Sequence, residues 1–157
     1  MKIKNSRLED LAEIFRLYKE ATALQKIKFP ENQWPKFSRE LVVKEVEENR
    51  QFKIVIENRI ACVWAVTFSD AEIWEEKNID PAIYIHRIAT NPLYRGRNFV
   101  STIVNWAKKY AGENNKEFIR LDTRIFNPAF ILGVFASCAI LLVLVSNLSA
   151  GLVAMWS

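Results

Sequence analysis

The sequence predicts an α/β domain with a mixed sheet over residues 1–123, its elements in the order βααβββαβ, followed by a chemically different segment over residues 124–157. Three observations carry this. Runs with helical spacing of apolar residues are interspersed with short β-like runs. One such run ends at Asn91-Pro92 and passes through an Arg-Gly turn straight into an amphipathic helix. Finally, every Lys, Arg, Asp, Glu and His lies at or before Arg124, so residues 125–157 hold none.

Lys2 to Asn5 alternates and is short, as an edge strand does. Ser6 and Glu9 have capping-box spacing, and Leu8, Leu11, Ile14, Phe15 and Tyr18 recur on one helical face. Phe29 to Pro35 is a loop broken by two prolines, and Ser38 caps a second helix running to about Glu48, with Leu41, Val42 and Val46 as its apolar face. Phe52, Ile54 and Ile56 alternate with Lys53, Val55 and Glu57, and Asn58-Arg59 turns the chain into a second strand from Ile60 to Phe68. A charged connection from Asp70 to Asp80 carries Trp74, and Ala82 to Thr90 is the next strand. Phe99, Ile103, Trp106, Ala107 and Tyr110 mark a third helix ending near Gly112, and Glu117 to Thr123 is a last strand.

Bulk properties exclude several function classes. The net charge of +4 suits an anionic ligand, but basic and acidic residues are interleaved, so no nucleic-acid footprint is expected. Cys62 and Cys138 lack metal-ligand spacing, and His86 is the sole histidine, so no metal site is expected. A reduced, cytoplasmic protein is the expectation, with no secretory signal in the polar start Met1 to Ser6.

The chemistry concentrates between Ile85 and Val100. A tight turn leading into a helix leaves consecutive backbone N–H groups pointing outward at the positive end of the helix dipole, which suits phosphate groups. A plain strand-to-helix connection would carry the same Arg-Gly pair. With its flanks, however, the stretch resembles the cofactor motif of the GNAT acetyltransferases. Ile88, Thr90 and Pro92 take the positions of that family's L-x-V-x-P strand, and Arg95 opens its R/Q-x-x-G-x-G/A loop beside Gly96. Asn98 and Val100 stand where the pattern has Gly and Gly or Ala. Asn is the best non-glycine choice for a left-handed backbone, whereas Val100 is bulkier and would crowd a pyrophosphate.

The resemblance implies an N-acetyltransferase that uses acetyl-CoA and acts on a primary amine of a small molecule or peptide. Backbone groups of Ile88, Ala89 and Thr90 would pair with the pantetheine arm. The loop Arg95, Gly96, Arg97, Asn98, Phe99 and Val100 would hold the pyrophosphate. His86 is the candidate general base, with Glu72 in reserve; a strand histidine facing away from substrate and a solvated Glu72 are the bland alternatives. Phe29 and Trp34 would line the acceptor pocket or else belong to the core. A homodimer is compatible with this reading.

The resemblance stops after Thr123. Asn127 and Phe130-Ile131 still fit, but Val134 stands at the position of the family's acid-donating tyrosine, and no Tyr occurs after Tyr110. The run from Ala129 onward is apolar enough, continued to Met155, to be a helical membrane anchor within residues 129–156. Such anchors are usually flanked by Lys or Arg, and here only Arg124 is near, so out-of-frame sequence is the competing explanation. The corresponding alternative function is a catalytically impaired cofactor-binding module, truncated by the frame change or tethered to a membrane.

Overall fold

The first strand, β1 (Lys2–Asn5), lies antiparallel to β2 (Gln51–Ile56), with Ile3 opposite Ile54. In the computed structural model the described residues are 1–28, 30, 34–122 and 140–144. β2 and β3 (Arg59–Thr67) form the expected hairpin, but its turn is Glu57-Asn58 rather than Asn58-Arg59. Both turn residues have positive φ, 48° and 61°, the left-handed pair that matches the strand twist in a two-residue hairpin. Arg59 is thereby drawn into the ladder opposite Ile56.

The helices start slightly differently from their sequence signals. A 3-10 turn at Leu8–Asp10 leads into α1 (Leu11–Lys28). The Ser6–Glu9 box does not form, because the N–H of Ser6 donates to the carbonyl of Gln51 at 2.7 Å and the sheet edge claims that residue. The box moves on by one residue, and the N–H of Arg7 donates to Oδ2 of Asp10 at 2.6 Å. α2 (Arg39–Glu47) is capped as expected, Ser38 Oγ accepting from the N–H of Leu41 at 3.1 Å. Its buried face is Val42, Glu45 and Val46, while Leu41 is 40% exposed; a carboxylate thus occupies the place an apolar residue was expected to fill.

The chain forms two compact units. The first comprises residues 1–66 and 87–100 and holds β1, β2, β3 and the end of β4 (Ala82–Thr90) in that order. Leu11, Ile14, Leu17 and Tyr18 of α1 pack with Val42 and Val46 of α2 against Val63 and Ala89. Each fully buried aliphatic side chain such as Ile14 or Leu17 contributes roughly 1.5–3 kcal/mol.

The second unit comprises residues 67–86 and 101–157. It begins with a short helix, α3 (Ala71–Trp74), and a 3-10 turn at Glu75–Ile79. The first half of β4 pairs in parallel with β5 (Phe118–Asp122), Ile83 opposite Ile119. A parallel pair requires a long crossover, supplied by α4 (Phe99–Glu113). The C-terminal segment was expected to be helical. Within it Ile140–Leu144 is instead a strand, β6, antiparallel to β5 with Leu121 opposite Leu141. Its Ile-Leu-Leu-Val-Leu run extends the ladder from the free side of β5, which satisfies backbone groups that an edge would leave open. The remainder of the expected membrane segment, 129–139 and 145–156, lies outside the described residues. No helix among the described residues is long and apolar enough to cross a membrane.

Candidate cofactor loop and acyl-transfer site

In the first unit, Asn91 ends β4 and shapes the turn after it. Its N–H donates to the carbonyl of Ala61 at 2.9 Å, and its Nδ2 donates to the carbonyl of Ile60 at 3.0 Å. Its Oδ1 accepts from the N–H of Leu93 at 3.1 Å, starting the 3-10 turn Pro92–Tyr94. The Asn-Pro pair thus does more than break the strand, because the buried amide pins the turn to β3.

The loop from Arg95 to Asn98 is exposed throughout. Gly96 has φ 82° and Asn98 has φ 50°, so two left-handed residues flank Arg97. A Cβ at Gly96 would meet nothing within 4 Å, so glycine is required there for its backbone angle and not for space. Asn98 adopts the conformation for which asparagine is the best substitute for glycine. The chain makes a hydrogen-bonded turn at Arg95 and Gly96 and a bend at Arg97. Phe99, 4% exposed, anchors the start of the 15-residue α4, whose first turn adds its own free N–H groups and positive dipole end. Arg97 rests 5.5 Å from the ring centroid of Tyr94, and Val100 is half-buried in the first turn. A left-handed glycine and asparagine, two exposed arginines and a helix start together suit an anionic group such as a phosphate.

Just upstream, Arg87 has φ 53° in the middle of β4. A left-handed backbone costs an L-residue about 1–2 kcal/mol, so the surroundings must hold it. The Arg87 guanidinium is paired with Glu45 of α2, both side chains at most 10% exposed. It also lies 4.8 Å from the ring centroid of Phe37 and 5.8 Å from that of Tyr18. Tyr18 donates to Gln51 Oε1 at 3.1 Å, and burial pushes its phenol up to about 12. Trp34 stands edge-on to Tyr18 and to Phe37, at 6.0 and 5.8 Å, and its N–H donates to Gln25 Oε1 at 3.1 Å. Trp34 therefore joins an aromatic cluster over the ion pair, while Phe29 lies outside the described residues. Thr90 Oγ1 is 3.6 Å from Cys62 Sγ, and burial pushes that thiol up to about 12, which keeps it protonated and unreactive.

In the second unit, His86 Nε2 lies 3.4 Å from Asp70 Oδ2, an ionic contact when the imidazole is protonated. The backbone N–H of Asp70 donates to Asn78 Oδ1 at 2.6 Å, and Asn78 Nδ2 donates to Ser69 Oγ at 3.1 Å. Glu72, the reserve base, is exposed at the start of α3. Beneath this connection Arg120 is 1% exposed, paired with Asp80 and donating to Tyr84 Oη at 2.8 Å. Its guanidinium carbon is 4.4 Å from the ring centroid of Trp74 and 5.4 Å from that of Tyr84.

Sequence reasoning missed Asp70, Arg87, Glu45 and Arg120 as a set. The available signals were a charged residue on the otherwise apolar face of α2 and a charged residue inside each of two apolar strands.

Residues 8–131 match the model of the acetyltransferase (GNAT) family. No curated protein matches the chain in sequence. Among solved structures, a GNAT-family acetyltransferase from Listeria monocytogenes is 22% identical and superposes with a TM-score of 0.67, over 82% of this chain and 80% of that one. A predicted acetyltransferase from Clostridium acetobutylicum with acetyl-CoA is 15% identical, TM-score 0.60, over 87% and 90%. N-acetylglutamate synthase from Neisseria gonorrhoeae, complexed with coenzyme A and N-acetyl-glutamate, is 12% identical with a TM-score of 0.61, over 82% of this chain and 26% of that one.

Proposed function

The chain belongs to the acetyltransferase (GNAT) family, and from that premise we propose that it is an acetyl-CoA-dependent N-acetyltransferase acting on a primary amine of a small molecule or peptide. The observation that carries this reading is the exposed loop Arg95 to Asn98, with left-handed Gly96 and Asn98, ahead of α4. Its backbone N–H groups, with Arg95 and Arg97, would hold the pyrophosphate, and backbone groups of Ile88, Ala89 and Thr90 would hold the pantetheine arm. Phe99 and Val100 complete the cradle from the helix start. When bound, acetyl-CoA supplies an acetyl group activated as a thioester.

The remaining chemistry falls to the chain. A primary amine attacks directly only when it is neutral, so a base must take its proton. His86 stands two residues before Ile88 on the same strand and fills this role, with Asp70 fixing the orientation of its ring. Glu72, exposed and without so defined a setting, is the weaker choice. Trp34, in the aromatic cluster with Tyr18 and Phe37, would line the acceptor's approach.

A second reading rests on one sequence observation: no tyrosine occurs after Tyr110, so the family's usual proton donor to the departing thiolate is missing. This reading is a cofactor-binding module with impaired catalysis, whose apolar segment 124–157 is either out-of-frame sequence or a tether. Titration of the purified full chain with acetyl-CoA, followed by an amine-acetylation assay across small amines and peptides, separates the two. Saturable binding with turnover supports the enzyme, and binding without turnover supports the module. No saturable binding at millimolar acetyl-CoA overturns both.

A further inference from the structure

The left-handed residue in the middle of β4 is neither glycine nor asparagine but arginine, and its side chain is tied down more heavily than any sequence motif requires. Arg87 has φ 53°. Its guanidinium is paired with Glu45, which is 5% exposed on the inward face of α2, and packs against the rings of Phe37 and Tyr18. The burial of the guanidinium disfavours its charge, while Tyr18 and Glu45 outweigh that and keep it charged. A buried ion pair is poor at raising stability but effective at selecting one conformation, because few alternatives satisfy both charges. Here the conformation selected is a backbone kink placed one residue before Ile88. If the pyrophosphate sits at Arg95 to Val100 and the pantetheine arm runs back along Thr90 and Ile88, its thioester end arrives at this kink.

We propose that the Arg87–Glu45 ion pair is a positioning device that holds the left-handed kink in β4 and so presents the backbone of Ile88 and Thr90 to the pantetheine arm. This rests on the acetyl-CoA reading of the same strand. Arg87 and Glu45 are positioning residues: they act on the cofactor through the backbone they constrain. The device ties α2 to the cofactor strand, so anything that displaces α2 loosens the grip on the arm while leaving the pyrophosphate loop intact.

The test first compares the unmutated full chain with Glu45→Gln, which breaks the ion pair and should weaken acetyl-CoA binding without changing that of the nucleotide half of coenzyme A; equal acetyl-CoA affinities here overturn the role of the pair. Glu45→Gln then serves as background, which avoids stranding a buried carboxylate. Arg87→Gly, Arg87→Asn, Arg87→Ala and Arg87→Val are then compared. Folding is checked by circular dichroism, and the conformation at position 87 by backbone chemical shifts without cofactor. Calorimetric affinities are measured for acetyl-CoA and for the nucleotide half of coenzyme A, which lacks the pantetheine arm. The expected order for acetyl-CoA tracks tolerance of the left-handed region, with Gly and Asn binding roughly tenfold more tightly than Ala and Val. The nucleotide half should bind all four alike. Equal acetyl-CoA affinities across the series, or a loss shared equally by the nucleotide half, overturns the positioning role while leaving the cofactor reading intact. If the Val variant does not fold, Asn against Ala carries the same comparison. Failure of the unmutated chain to bind acetyl-CoA overturns the cofactor reading and this proposal with it.

Discussion

His86 Nε2 lies 3.4 Å from Asp70 Oδ2, the imidazole 25% exposed and the carboxylate 11%. The pair brings together a strand residue and the start of α3, and the amide of Asn78 holds the backbone of Asp70 in place. The imidazole is partly open to solvent, as a group that exchanges protons with a substrate must be.

This arrangement predicts that His86→Ala lowers kcat for amine acetylation by about a hundredfold near neutral pH. Asp70→Asn, which removes the charge beside the ring, should lower kcat by a smaller factor. Steady-state rates across the pH range decide both. A profile identical to that of the unmutated chain in His86→Ala removes His86 as the base.

Asn98 predicts a graded response in the cofactor loop. With φ 50°, it should accept Asn98→Gly with little change in acetyl-CoA affinity. Asn98→Val, which resists that angle, should cost about 1–2 kcal/mol in binding or in loop stability. Isothermal titration with acetyl-CoA, alongside thermal unfolding, reads the two contributions separately. The half-buried Val100 adds a companion case: Val100→Ala should tighten binding if the larger side chain crowds the pyrophosphate.

Arg120 predicts a stability effect distinct from binding. Its removal as Arg120→Met leaves the Tyr84 hydroxyl without its guanidinium partner and Asp80 without its counter-charge. Asp80 is 37% exposed and can be partly solvated, so the expected loss is about 2–3 kcal/mol and not the larger penalty of a fully buried pair. Urea unfolding monitored by tryptophan fluorescence measures it, with Trp74 against the guanidinium as a local reporter.

Tyr18 predicts an alkaline weakness. Burial raises its phenol from the ordinary 10 to about 12, so the folded state favours the neutral form. That contribution is fully present below about pH 10 and is lost as the pH rises through about 12. Across that window the unmutated chain should lose more stability than Tyr18→Phe, measured by urea midpoints at fixed pH steps. Parallel curves for the two proteins would contradict the assignment.

Much of this protein is written locally. The hydrophobic periods of α1, α2 and α4 are properties of neighbouring residues, and these helices appear in the structure, α1 only after a 3-10 turn; the alternation expected of β2 does not, since Gln51, Phe52, Lys53 and Ile54 are all buried. The loop from Arg95 to Asn98 is local too, since left-handed angles at Gly96 and Asn98 arise from conformations those residues tolerate. The local misreadings were decided by competition from elsewhere. Ser6 is taken by Gln51 before it can cap α1, and Arg59 is drawn into the ladder before it can serve as a turn residue.

The sequence by itself determined the order of the elements up to β5 and the glycine-and-asparagine loop ahead of α4, and it singled out His86 on β4 as the sole histidine. Only the tertiary structure decided which charges meet: Glu45 with Arg87 across 42 residues, Asp80 with Arg120 across 40, and Asp70 with His86. The reason is physical. Backbone preferences and hydrophobic periods act over one or two turns of chain, whereas a buried charge finds its counter-charge only after the elements carrying both have packed.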